Sequence, residues 1–170
     1  MPKKHFTIRC QTKLHLEGSS LLLSLPPSAS KQLPSKGMVF INGNLNHIPF
    51  SAVLEPNGQG GHWFKPKISL LKKSGAKAGK PLRLELEPDK NWPEPKVPAD
   101  FKKALAQNPS ALSVWQDITP MARWDWIRWI SSAKQQDTRQ RRVMVGCSKL
   151  KSGKRRPCCF DRMQCTLTDA

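Results

Sequence analysis

The segment Asn91-Trp-Pro-Glu-Pro-Lys-Val-Pro98 limits the fold more than any other stretch. Three prolines in eight residues remove backbone donors and fix φ, so neither a helix interior nor a central strand passes through it. The hydrophobic pattern changes across this segment. Before it, apolar residues alternate, as in strands with one buried face; after it, they recur every three or four residues, as in amphipathic helices. A chain of 170 residues is long enough for each side to bury its own core. The expected class is α+β, with a β domain at residues 1–96 and a helical domain at residues 97–170.

In the first part, residues 5–16 place Phe6, Ile8, Cys10, Leu14 and Leu16 on one parity and Thr7, Arg9, Gln11, Lys13 and His15 on the other. This pattern predicts a strand with Cys10 on its buried side, a turn at Glu17–Ser20, and a return strand over Leu21, Leu23 and Leu25. A polar bridge from Ser28 to Gly37 leads to a strand at Met38–Ile41. Asn42-Gly43-Asn44 predicts a tight turn, because Asn-Gly tolerates the positive φ that hairpins need. Ile48–Leu54 is the return strand. A second turn at Pro56–Gly61 precedes a short strand, His62-Trp63-Phe64. Ile68–Lys73 reads as a short helix stopped at Gly75, and Leu82–Glu87 is a regularly alternating strand.

Beyond Pro98, Phe101, Ala104 and Leu105 mark one helix; Asn108-Pro109 opens another with Leu112, Trp115 and Ile118. Thr119-Pro120 supplies an N-cap and a first-turn proline for a long helix, expected to run unbroken through Val143 and to end near Gly153. Three of the six tryptophans lie between residues 124 and 129, and three arginines lie between 139 and 142. A continuous helix puts Ala122, Trp126, Trp129, Ile130 and Ala133 on one apolar arc. The other side carries the row Trp124, Arg128, Ser131, Gln135, Arg139 and Arg142, in which Trp124 and Arg128 are spaced for a cation–π contact. Asp137 falls back toward the core side, one turn from Arg141, where an ion pair is expected.

A formal charge of +17 predicts attraction to polyanions: nucleic acid, acidic proteins or anionic lipid. The 14 basic and 6 acidic residues after Pro98 are denser than the 15 and 6 before it, and residues 139–156 hold eight basic residues and no acid. The candidate binding surface is therefore Trp124, Arg128, Arg139, Arg142, Lys154, Arg155 and Arg156. The leading expectation is a non-enzymatic protein that binds an acidic partner through this end; the alternative is a nucleic-acid binder that stacks bases on the aromatics and tracks phosphates with the cations. The ordinary explanation of the same residues packs Trp124 under the C-terminal segment and leaves the arginines solvated.

Other chemistry finds little support. Ser74–Lys80 approaches a phosphate-binding loop, but it is one residue short, has Pro81 at the Ser/Thr position, and precedes a strand, so the helix that would hold the anion is missing. The five cysteines lack a C-x-x-C pair, and His5, His15, His47 and His62 are distant from the late cluster of Cys147, Cys158, Cys159 and Cys165; reduced thiols are expected, with no metal and no cofactor. No nucleophile or metalloprotease motif appears, so no catalytic residue is expected. No apolar run reaches membrane-spanning length, and the N-terminal lysines are not followed by a signal-like apolar stretch, so the expected location is cytoplasmic without membrane insertion.

Several of these residues resemble two known families. Phe40-Ile-Asn-Gly43, Ile48-Pro-Phe50, Glu55-Pro-Asn-Gly58, Gly60-Gly-His-Trp63 and Lys96-Val-Pro98 resemble the domain of unknown function numbered 1905. Pro98-Ala-Asp-Phe101, Ala104-Leu105, Thr119-Pro120, Trp129-Ile130, Ala133-Lys134 and Thr138-Arg-Gln-Arg-Arg142 resemble the YdeI/OmpD-associated, or bacteriocin-protection, family. The resemblance implies a bacterial protein with a small double-split β-barrel followed by a helical domain, no established enzymatic activity, and a link to stress or bacteriocin tolerance. The barrel is similar to that of swapped-hairpin transcription factors, which favours the nucleic-acid alternative by fold analogy alone. Lys80 departs from the aspartate that the family often carries after Gly79.

Overall fold

The alternating strands of the first part close into a barrel. In the computed structural model, which describes residues 6–158, 160–164 and 166, these are β1 (Ile8–Glu17), β2 (Ser20–Ser24), β3 (Val39–Leu45), β4 (Ile48–Pro56), β5 (His62–Phe64) and β6 (Pro81–Pro88). Their order around the barrel is β1-β2-β5-β4-β3-β6, with every neighbouring pair antiparallel. The short β5 joins the two halves, pairing with β2 through Leu23 and Ser24 and with β4 through Glu55 and Pro56. Inward residues such as Ile8, Leu14, Leu23, Ile41, Leu45, Leu54, Leu82, Leu84 and Leu86 fill the interior. Two short helices join the strands: α1 (Pro27–Ser30), overlapping the start of the stretch expected to be only a polar bridge, and α2 (Ile68–Ser74), ended by Gly75 at φ 65°.

The β3–β4 turn corrects the reading of Asn42-Gly43-Asn44. That tripeptide lies inside β3, and the chain reverses one step later through Asn46 and His47, at φ 45° and 70°, between the paired residues Leu45 and Ile48. Gly43 serves a different need. A Cβ there would stand 2.1 Å from the Glu85 carbonyl oxygen of β6, so only glycine allows that approach. Asn46 stabilises the turn by donating to the Ser74 carbonyl (3.1 Å) and accepting from the Arg83 N–H (2.8 Å). Leu16, on the strand's apolar parity, is 66% exposed; there β1 pairs with β2 alone, its pairing with β6 having ended at Lys13.

The chain divides into two compact units, the second formed mainly by Trp92–Asp161. Its helices are α3 (Ala99–Ala106), α4 (Pro109–Asp117), α5 (Pro120–Ser131) and α6 (Gln136–Lys151). Phe101, Leu105, Trp115, Trp126, Ile130, Val143, Cys147 and Leu150 share their core, with Phe101 and Trp115 edge to face at 5.2 Å. Thr119 caps α5 as expected, its hydroxyl accepting from the Ala122 N–H at 3.3 Å.

The long helix is two helices. Ser132 ends α5, Gln135 is extended, and α6 starts afresh. An unbroken helix over this span would be about 50 Å long, more than a domain this size can cover with its own core. The break lets α6 fold back onto α3, α4 and α5. Ser132 assists by donating its hydroxyl to the Trp129 carbonyl (3.0 Å) in place of continued helical bonding. His5, Cys159 and Cys165 lie outside the described residues.

Candidate binding surface

The break resets the angular phase, so the expected row from Trp124 to Arg142 does not exist as one face. Its tryptophan and arginines have separate structural duties. Trp124 is half-buried, and its indole Nε1 donates to the Pro93 carbonyl at 3.0 Å. Arg128 is only 4% exposed and lies 5.4 Å over the Phe160 ring, not over Trp124. Of the expected apolar arc, Ala122, Trp126 and Ile130 are buried, whereas Trp129 and Ala133 are half-buried.

The late arginines join acids and helix ends. Arg139 grips Asp100 in a two-pronged pair at 2.7 and 3.0 Å, and that guanidinium holds the Asp100 carboxyl below the usual carboxylate range. Arg142 donates to the Trp129 carbonyl and to the Ser132 hydroxyl (2.7 Å), and it lies 5.6 Å over the Trp129 ring. It thus satisfies a terminal carbonyl of α5, the position where a cation also complements the helix dipole. Arg155 reaches the carboxylate of Asp117 (2.6 Å) and its carbonyl (3.0 Å), closing the end of α4, and its own carbonyl accepts from Trp126 Nε1 at 3.1 Å. Arg156 stands 3.4 Å from Asp125, whose side chain is 1% exposed. Asp137 is not matched with Arg141; as the acid in the first turn of the restarted α6, it faces the helix's positive end.

Arg123, which the sequence reading passed over, belongs to the same set. Its Nε donates to the Trp115 carbonyl (2.9 Å), one Nη to the Gln116 carbonyl (2.7 Å), and the other pairs with Glu94. The recoverable signal was its position just after the end of α4, where carbonyls lack helical partners.

A different set of cations remains for other work. The buried face of α6 is Val143, Gly146, Cys147 and Leu150. On the opposite side Arg141, Met144, Ser148 and Lys151 are exposed, followed by exposed Lys154 after the α6 stop at Gly153 (φ 82°). No side-chain hydrogen bond or ion pair among the described residues engages Arg141, Lys151 or Lys154. Met144 is 73% exposed in the middle of this stripe. Of the residues first singled out, Lys154 alone lies on it.

The barrel offers less. A polar hollow of about 310 Å³ is lined by residues that include Thr7, Arg9, Asn42, Glu85 and Glu87, several already bonded to one another: Thr7 to Glu87 at 2.7 Å and Arg9 to Glu85 at 3.3 Å. His62 is 1% exposed; its Nε2 faces the Gly37 carbonyl at 2.9 Å, and burial lowers its pKa. Burial raises the thiol pKa of Cys10 and Cys147, which suits inert packing. Among the described residues, no group of three His, Cys, Asp or Glu side chains is arranged to hold a metal ion. Nor is any helix among them long and apolar enough to cross a membrane.

These features define a class: a closed six-stranded barrel followed by a small helical domain whose arginines tie its own helix ends. Residues 11–86 match the family model described as a domain of unknown function (DUF1905), and residues 94–153 match the model for bacteriocin-protection, YdeI or OmpD-associated proteins. The chain thus carries a DUF1905 region followed by a region similar to the YdeI/OmpD-associated family. No curated protein and no solved structure matches it.

Proposed function

We propose that this is a non-catalytic binding protein whose α6 outer stripe (Arg141, Met144, Lys151 and, beyond it, Lys154) docks an acidic protein surface, in a role connected with bacteriocin protection. The observation that carries this reading is the exposed Met144 between cations whose charges are not spent on the chain's own acids. An apolar anchor ringed by charge suits a protein partner, where a buried hydrophobic contact supplies affinity and surrounding charge supplies orientation and encounter rate. The family description supplies the connection to bacteriocin protection.

The nucleic-acid alternative draws support from the total charge and from the fold analogy of the barrel. Base stacking needs open aromatic faces. Trp126 is buried, and Trp129 is flanked by Arg142 and Lys149 at 5.6 Å each. The deciding experiment titrates the full chain with a glutamate-rich peptide carrying interspersed leucines and, separately, with a mixed-sequence oligonucleotide, across a salt series. Tighter binding of the peptide, with part of its affinity surviving high salt, supports the proposal. Preference for the oligonucleotide with a steep log-linear salt dependence overturns it.

A further inference from the structure

Near the end of α6 an amine and a thiol face each other at the surface. The Lys149 ammonium is 2.6 Å from the sulfur of Cys158, a direct contact with no room for another group between them. Neither group arrives there by chance. Lys149 is in the last turn of α6, with its Nζ 5.6 Å over the Trp129 ring. Gly153, at φ 82°, turns the chain back after α6. The returning segment is then fastened beside Cys158: Arg155 to Asp117, Arg156 to Asp125, and the Arg155 carbonyl to Trp126 Nε1. Cys158 is exposed, so small oxidants reach it.

We propose that Lys149 and Cys158 form a covalent cross-link when the protein meets a peroxide. A thiolate beside an ammonium is the nucleophilic, oxidisable form of cysteine. The Cys158 thiolate sulfur attacks one peroxide oxygen; the S–O bond forms, the O–O bond breaks, and hydroxide leaves. That hydroxide takes a proton from the Lys149 ammonium and becomes water. The freed amine attacks the sulfenic sulfur, the N–S bond forms, and the S–OH group departs as water with one amine proton. Sulfur is oxidised, peroxide is reduced to water, and the sulfenamide carries two hydrogens fewer than the original pair. The product removes the Lys149 charge and fixes the segment after Gly153 to α6. A thiol reductant cleaves the bond and restores both groups.

The test treats the full, reduced chain with stoichiometric hydrogen peroxide and reads intact mass and tryptic peptides. The expected result is a loss of two hydrogens, loss of tryptic cleavage after Lys149, a peptide joining Lys149 to Cys158, and reversal by dithiothreitol. Cys159→Ser keeps the cross-link. Lys149→Arg, which retains the positive charge at this half-buried position, abolishes it. A two-hydrogen loss that persists in Lys149→Arg and maps to a Cys158–Cys159 disulfide overturns the proposal, as does oxygen uptake at Cys158 with no joined peptide.

Discussion

Arg142→Ala and Arg141→Ala, one residue apart, should separate stability from recognition. Arg142 donates to the Trp129 carbonyl and the Ser132 hydroxyl and covers the Trp129 ring. Hydrogen bonds from a charged donor contribute about 1.5–3 kcal/mol when lost from a folded state. Here the lower end applies, because the Ser132 hydroxyl also donates to the Trp129 carbonyl and leaves it partly satisfied. The ring contact adds about 0.5–1 kcal/mol. Arg142→Ala should therefore cost about 2 kcal/mol, and Arg142→Lys about half that, since lysine keeps the charge without the planar fork. Arg141 is exposed on α6, so its loss should change stability by less than about 0.5 kcal/mol. Urea unfolding followed by tryptophan fluorescence measures both; with an ordinary slope, Arg142→Ala shifts the helical domain's midpoint down by about 1 M. Equal midpoints for the two variants would refute the assignment of Arg142 to the α5 end.

Glycine replacements should have opposite signs in the two domains: Gly43→Ala should destabilise the barrel by about 2–3 kcal/mol, because the new Cβ meets the Glu85 carbonyl at 2.1 Å. Gly146→Ala should stabilise α6 by about 0.5–1 kcal/mol, because its Cβ meets only ordinary contacts, the nearest at 3.6 Å, and alanine favours the helix; thermal melts test both. His62 is held neutral by burial, with its pKa below the ordinary value of 6.5. The unfolded chain then takes the proton first, so its contribution is complete above about pH 6.5 and is lost as pH falls from there toward the folded value; His62→Gln should flatten that part of the stability–pH curve. Asp100 acts lower on the scale. Its folded pKa lies below the ordinary 3.8, so the Arg139 pair contributes above that pH and is lost as pH falls through the folded value. With Asp100 40% exposed, solvent screening holds that contribution to about 1 kcal/mol or less, and Arg139→Ala should erase it.

The fold class was legible because period-2 and helical patterns meet at a proline-rich boundary, and those patterns reflect burial directly. Turn position was less so. Asn-Gly in 42–44 has turn chemistry, yet the glycine answers to a carbonyl on β6, a neighbour distant in sequence. The continuous tryptophan–arginine row fails for a geometric reason: a break of a few residues at Ser132–Gln135 rotates everything after it. Arg139 and Arg142 thereby turn toward Asp100 and the α5 end, while Arg141 and Met144 turn outward. Charge runs identify where cations are concentrated. Which of them are already engaged depends on helix ends and acids brought together only by folding.

The α6 stripe, not the tryptophan–arginine row, is the surface we propose for an acidic partner. The most direct measurement is the affinity of the full chain for the leucine-bearing acidic peptide at moderate salt. Arg141→Ser combined with Lys151→Ser and Lys154→Ser should weaken it by about tenfold, roughly 1.4 kcal/mol, and Met144→Ser should weaken it further. Arg139→Ala should leave it within about twofold while the domain remains folded. Unchanged affinity in the triple variant, or a larger loss in Arg139→Ala, contradicts the account.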